Sequence, residues 1–195
     1  MIRLFAGFCK AMLDSLTDKE IFQKTTDGFK HYDQPCPKCG ATGSLSRYGS
    51  YHRWLVYRAG EKIASELAQP LRFECKSCGT THALLPDILT PYSPYSLRFK
   101  IIALIGYLER ETTVAMACEG LGIAISTLYE WKKLLLSHKG LMLGALVSQK
   151  TPALAFLQGL LPSGCLSGRL QNFFRKYAFS FMQKQPATAT QIHPP

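Results

Sequence analysis

The chain lacks the sequence features of several large protein classes. Its 195 residues contain no Gly-rich phosphate loop, no Gly-x-Ser-x-Gly and no His-Glu-x-x-His, the motifs that position phosphates, a nucleophilic serine or a catalytic zinc. Its most apolar stretch, residues 141–161, has Gln149, Lys150 and Pro152 in its middle, so a membrane span there would bury a charge. We therefore expect neither an enzyme nor a membrane protein.

Cysteines are few and do not form a disulfide framework. Four of the seven lie in two short motifs, whereas Cys9, Cys118 and Cys165 are scattered. An odd number, together with thiolates that must stay reduced to bind metal, indicates a reducing compartment. The apolar N-terminal stretch is interrupted by Lys10, and no small-residue cleavage site follows, which argues against a signal peptide. The sequence therefore predicts a cytoplasmic protein.

Acidic residues are missing from the last third of the chain. Residues 132–195 contain eight Lys or Arg and no Asp or Glu, whereas residues 1–131 contain 15 basic against 13 acidic residues. The formal net charge of the whole chain is +10. This distribution favours a polyanionic partner, nucleic acid before a membrane surface.

Two matching cysteine motifs are the most specific signal in the sequence. Cys36-Pro-Lys-Cys39-Gly and Cys75-Lys-Ser-Cys78-Gly are separated by 35 residues. The two-residue gap lets both sulfurs of a motif reach one ion, and the trailing glycine suits the positive φ of a tight turn. We predict a structural Zn²⁺ site whose four ligands are these cysteines. Four sulfurs complete a tetrahedron, so His52 and His82 are expected outside the ligand shell.

Strand signals between the two motifs predict a zinc ribbon. Residues 45–57 are rich in aromatic and β-branched side chains, residues 71–75 alternate apolar and polar, and residues 59–62 resemble a turn. Two or three antiparallel strands should therefore carry the motifs, with the ion supplying on the order of 10 kcal/mol of folding free energy. Arginines among the aromatics could form a nucleic-acid face or an ordinary solvated face; they are Arg47, Arg53, Arg58 and Arg72.

Residues 114–131 have the pattern of a helix-turn-helix. Their apolar or small residues fall where two crossing helices would pack, with Cys118 at the closest approach and Gly122 in the turn. Ser126 is expected to cap the second helix. An ordinary helical hairpin would show the same core. The predicted DNA-contacting residues, the lysines for phosphates and the others for base edges or backbone, are Ser126, Thr127, Tyr129, Lys132 and Lys133.

The predicted fold class is α+β, a small four-cysteine zinc-ribbon β-domain followed by an α-helical helix-turn-helix domain and a basic helical tail. Ser96 should cap the first helix after a proline-containing linker. An aromatic stripe on a helix over residues 170–184 is expected to dock on the helical domain. The expected boundaries are 1–33 for a helical lead-in, 34–89 for the ribbon, 90–96 for the linker, 97–140 for the helix-turn-helix domain, 141–184 for the basic helical region and 185–195 for a disordered tail.

The order of zinc ribbon, linker and helix-turn-helix resembles the front of insertion-sequence transposases. Arg-Phe-Glu-Cys-Lys-Ser-Cys-Gly-Thr-Thr-His, residues 72–82, is similar to their second cysteine motif. With Cys-Pro-Lys-Cys-Gly and Pro-Tyr-Ser-Pro-Tyr-Ser, it also resembles a bacterial family of a domain of unknown function, over about residues 34–135. The resemblance implies Zn²⁺ and double-stranded DNA, with a transposase or a second copy of the chain as candidate protein partner. Strand transfer is not expected, because it needs three carboxylates and none follows Glu130.

Two rival interpretations stay open. A rubredoxin-like electron-transfer protein also uses two such motifs around one iron, although the basic charge, the helical part and the proline in the first motif argue against it. A zinc-dependent protein-interaction adaptor would use the basic tail for solubility only. Its DNA binding would be weak, independent of sequence and lost at moderate salt.

Overall fold

The computed structural model describes residues 2–4, 16–110, 112–160 and 166–184. Within these residues the chain is α+β, as predicted. The predicted disordered tail, residues 185–195, lies outside them. The strands are β1 (Ile2–Leu4), β2 (Leu45–Ser50), β3 (Arg53–Ala59), β4 (Lys62–Ala68), β5 (Leu71–Cys75) and β6 (Thr81–Pro86). The helices are α1 (Asp18–Asp27), α2 (Leu97–Glu109), α3 (Val114–Gly120), α4 (Ile125–Leu143), α5 (Ala145–Lys150), α6 (Ala153–Leu160) and α7 (Leu166–Tyr177).

The strands form two small sheets. One has the order β1-β6-β5-β2, antiparallel except for the parallel pair β1 and β6, and the other is the hairpin β3-β4. The hairpin turns at Gly60, which has φ 62°, where the sequence predicts a turn. Leu45 pairs with Cys75. The start of β2, just after the first cysteine motif, therefore lies beside the end of β5, which leads into the second.

The N-terminal part differs from the predicted helical lead-in. Residues 2–4 form strand β1, and residues 5–15 lie outside the described part of the chain. Helix α1 begins after Thr17, whose side chain and that of Glu20 form a capping box. Ile21 and Phe22 of α1 are buried against the sheets. Local apolar periodicity could not reveal β1, because its partner β6 is distant in sequence.

The residues predicted to be a linker make specific contacts with both sides. The Arg53 side chain donates to the carbonyl oxygens of Thr90, at 3.1 Å, and Ser93. Ser96 caps α2, as predicted, by accepting from the backbone N–H of Phe99 at 3.0 Å. The Ser96 hydroxyl also donates to a buried carboxylate of α1, that of Asp18, at 2.5 Å. The segment thus joins the hairpin, α1 and α2.

The helices after this segment surround the largest apolar core of the described residues. Phe173, Phe181 and Met182 are buried in it, which confirms the predicted docking of the aromatic stripe. Helix α7 ends at Tyr177 and does not continue to residue 184. Ala178, with φ 60°, has the left-handed backbone that commonly ends a helix, and the chain then turns so that Phe181 and Met182 reach the core.

Candidate metal centre

The four predicted cysteine ligands come together in the fold. The sulfur atoms of Cys36, Cys39, Cys75 and Cys78 all lie within 4.8 Å of one another. The Sγ–Sγ distance is 3.8 Å for Cys36 and Cys78 and 3.7 Å for Cys39 and Cys75. A disulfide needs about 2 Å, so these are free thiols. Four sulfurs held about 2.3 Å from a tetrahedral ion are about 3.8 Å apart, and the cluster is therefore compatible with a metal ion.

Both motifs have the same backbone hydrogen bonds. The N–H of Gly40 donates to the carbonyl oxygen of Cys36 at 2.9 Å, and the N–H of Gly79 donates to that of Cys75 at 2.8 Å. In each motif the N–H of the first cysteine donates to the carbonyl five residues later, at 3.0 Å. Gly40 and Gly79 have φ 74° and 66°, the positive values expected from the sequence. Two equivalent turns therefore build the site.

Polar side chains from outside the cluster contact the sulfurs. Ser44 Oγ lies 3.2 Å from Cys75 Sγ, and His82 Nε2 lies 3.3 Å from Cys36 Sγ. His82 thus occupies the outer position expected for it, whereas the exposed His52 is hydrogen-bonded elsewhere. Ser44 was not predicted. Only the strand pairing that places it beside Cys75 identifies it, because serine near a cysteine motif carries no specific signal.

The surroundings shift the thiol pKa values in opposite directions. The hydrogen bond with Ser44 lowers the pKa of Cys75 to about 6, and hydrogen bonds with Thr80 lower the pKa of Cys78. For Cys39 a backbone hydrogen bond acts to lower the pKa, but desolvation and the neighbouring thiols outweigh it and raise the pKa to about 11. Four thiolates at these distances would repel one another, and a bound cation would offset that repulsion.

The residues of the predicted helix-turn-helix form two helices joined by a four-residue turn. Helices α3 and α4 are connected by residues 121–124, where Gly122 has φ 60°, as predicted. The N–H of Ile123 donates to the carbonyl oxygen of Cys118 at 3.0 Å. Cys118, Ile123, Leu128 and Trp131 are all buried in the helical core. The packing side of the pair was thus predicted correctly.

The predicted cap of the second helix is wrong. Helix α4 begins at Ile125, with Ala124 at the N-cap position and no side-chain capping hydrogen bond. Ser126 therefore lies inside the first turn. Ala124 has the extended backbone of a cap residue, with φ −73° and ψ 146°, but alanine lacks the oxygen that made serine the better candidate in the sequence.

The predicted DNA-contacting residues differ in their exposure. Ser126, Tyr129 and Lys133 are exposed, and Thr127 and Lys132 are half-buried. The Lys132 ammonium donates to the Tyr107 hydroxyl at 2.9 Å and lies 5.1 Å and 5.9 Å from the ring centroids of Tyr107 and Tyr129. These contacts occupy the Lys132 ammonium within the protein. The side chain of Lys133, in contrast, is exposed on this face.

A family model for a domain of unknown function, DUF6431, matches residues 36–131. The match agrees with the resemblance to such a family that the sequence suggested. It begins at Cys36 and ends at Trp131 in α4, so it contains all four clustered cysteines and the α3–α4 turn. No curated protein and no solved structure matches the chain. None of the helices in the described ranges combines the length and the apolar character that a membrane crossing requires.

Proposed function

We propose that this chain is a zinc-containing DNA-binding module, related to the DNA-recognition half of insertion-sequence transposases and without a catalytic domain of its own. The main support is that one matched domain, residues 36–131, combines a four-cysteine cluster with a helix pair whose second helix exposes Ser126 and Tyr129. The excess of basic residues in the last third of the chain adds a positive potential that favours phosphate.

Zinc is the proposed metal because the donor set fits a closed structural site. Sulfur separations of 3.7 and 3.8 Å agree with tetrahedral coordination at about 2.3 Å. With four sulfurs bound, zinc would have no open position for water or substrate, and its role would be to stabilise the fold. Cys36 and Cys75 are buried, so two of the ligands would be shielded from solvent.

Iron is the second candidate, because a rubredoxin-like site would have the same four sulfurs and the same paired turns. Metal analysis of reduced, aerobically purified protein separates the two. We expect a colourless protein with one equivalent of zinc. A red protein containing iron would support the electron-transfer function and contradict the structural zinc site.

Helix α4 is the proposed DNA-reading element. The side chains of Ser126 and Tyr129 project from its first half, away from the buried Leu128 and Trp131, as major-groove readout requires. Glu130 is paired with Lys184 at 2.5 Å, so its negative charge is partly offset. Lys133 is the proposed phosphate contact on this helix.

The test is selection from random duplexes by zinc-loaded protein, followed by affinity measurements at several salt concentrations. We expect one enriched sequence, and Lys133→Ala should weaken binding and reduce the salt slope by about one. Lys132→Ala should have a smaller effect, because its ammonium already contacts Tyr107. Lys62→Ala, at an exposed position of β4, is the control. Binding without sequence preference that disappears at moderate salt would support the adaptor function instead.

A further inference from the structure

An open groove of about 430 Å³ lies between the hairpin, β6 and residues 91–94. It is distinct from both the cysteine cluster and the face of α4. We refer to it as the Trp54 groove. The lining residues that matter here are Tyr51, Arg53, Trp54, Pro91 and Tyr92.

Two aromatic side chains of the Trp54 groove are unusually exposed. Trp54 is 55% exposed and Tyr92 is 89% exposed, whereas the other tryptophan, Trp131, is 4% exposed in the helical core. A large aromatic ring stabilises a fold most when it is buried. Exposed apolar patches often mark binding sites. The two rings therefore offer flat apolar surfaces to a ligand.

The backbone of Tyr92 adds a second observation. Its φ of 59° lies in the left-handed region, which disfavours residues with a β-carbon and is tolerated mainly by glycine, asparagine and aspartate. Burial of the ring could offset this cost, but the ring is almost fully in solvent. The cost comes from a β-turn, in which the N–H of Ser93 donates to the carbonyl oxygen of Thr90 at 3.3 Å and Tyr92 occupies the third position after Pro91. The turn thus presents the Tyr92 ring to solvent at the groove.

The charge of the Trp54 groove favours an anionic ligand. Arg53, one of the lining residues, donates to two backbone carbonyls, and no carboxylate of the described residues forms an ion pair with it. Arg72 pairs in register with Ala83, a groove residue, so both side chains stand on the same face of the sheet. Its guanidinium lies 5.7 Å from the Tyr48 ring centroid. No acidic residue is among those that line the groove.

We propose that the Trp54 groove binds an unpaired base of single-stranded DNA. The base would stack on Trp54 and Tyr92, and Arg53 and Arg72 would attract the neighbouring phosphates. This inference rests on the DNA-binding function proposed above and adds a second contact to it. A proline-rich peptide also docks in aromatic grooves, but it lacks the negative charge that the two arginines favour.

The test uses fluorescein-labelled oligo(dT) and the full, zinc-loaded chain. Binding should raise the anisotropy of the label and quench the fluorescence of the exposed Trp54. Trp54→Leu and Tyr92→Asn should each weaken oligo(dT) binding about tenfold or more. Asparagine tolerates the left-handed backbone, so Tyr92→Asn should fold normally, and its affinity for the selected duplex should not change. Tyr32→Ala is the matched control, since Tyr32 is 57% exposed and is not a lining residue.

Four results would overturn the proposal. If the duplex binds but oligo(dT) neither binds nor quenches Trp54, the groove is not a base site while the duplex-binding function survives. Equal oligo(dT) affinity in wild type, Trp54→Leu and Tyr92→Asn would place the contact elsewhere. Quenching by a proline-rich peptide but not by oligo(dT) would identify a peptide groove. Failure to bind either form of DNA would reject this inference together with the DNA-binding function.

Discussion

The strands around the four cysteines, called the cysteine region, and the helices after residue 96, called the helical region, have apolar cores of very different size. The buried apolar cluster beside the cysteines consists of Cys36, Leu45, Phe73, Cys75 and Leu84, whereas the helical cluster has 18 buried residues. Burying a large apolar side chain contributes about 1.5–3 kcal/mol, and two residues of the small cluster are themselves candidate ligands. The cysteine region is therefore expected to depend on the proposed ion, while the helical region can be stable through packing.

The largest expected effect follows from removing one ligand. Cys75→Ser should release the metal and unfold the strands around it, because structural zinc supplies on the order of 10 kcal/mol in small domains. The helical core contains neither Cys75 nor its neighbours, so most of the helix signal in circular dichroism should remain. Metal content and thermal unfolding measure the two effects separately.

Cys118→Ala is the matched control for this substitution. Cys118 is also a buried free thiol, but it lies in the helical core, so its loss should reduce stability moderately and leave the metal bound. If Cys75→Ser kept both its metal and its fold, the dependence of the small region on an ion would be wrong. If all helical signal were lost together with the metal, the two regions would form one cooperative unit.

The cysteine region was more predictable than the rest of the site because its signals are local. A two-residue gap and a following glycine fix the turn that directs two sulfurs to one point, and both turns are present. Strand β1 and Ser44 depend on pairing between distant segments, which spacing within a motif does not record. Lys132 lies on α4, as the sequence predicts. Its ammonium contacts Tyr107 of α2, and the spacing of residues within α4 does not reveal a contact with another helix.

A buried histidine and a buried lysine hold the end of the helical region in place. The backbone N–H of Met182 donates to His138 Nδ1 at 2.9 Å, and Lys100 Nζ donates to the carbonyl oxygen of Met182 at 3.3 Å. Both side chains are almost fully buried. Desolvation, together with the charge of Lys100, lowers the pKa of His138 to about 4, and the folded protein therefore holds this ring neutral.

Acid should weaken the helical region through His138. An unfolded histidine has a pKa of about 6.5, so the unfolded chain takes up a proton at higher pH than the folded one. The contribution to stability is complete above pH 6.5 and is lost as pH falls toward 4, by up to about 3 kcal/mol. His138→Asn supplies an acceptor that does not titrate, and it should flatten the dependence over this range.

The measurement is denaturant unfolding of wild type and His138→Asn between pH 7.5 and 4, followed by helix circular dichroism. Metal content must be measured in parallel, because acid also protonates the thiolates of the cysteine region. Equal acid slopes in the two proteins would show that His138 is not the responsible group. The pH dependence would then come from the cysteine region or from surface carboxylates.

The smallest expected effect concerns the start of α4. Helix α3 is capped by Thr113, which accepts from the N–H of Met116 at 3.3 Å, whereas Ala124 gives α4 no such bond. Ala124→Ser should therefore raise the free energy of unfolding by about 0.5–1 kcal/mol without changing metal content. Ser126→Ala should change it by less than about 0.5 kcal/mol, because Ser126 is not the cap. If Ser126→Ala instead cost about 1 kcal/mol and Ala124→Ser gained nothing, α4 would begin where the sequence predicted, and its DNA-facing residues would shift with it.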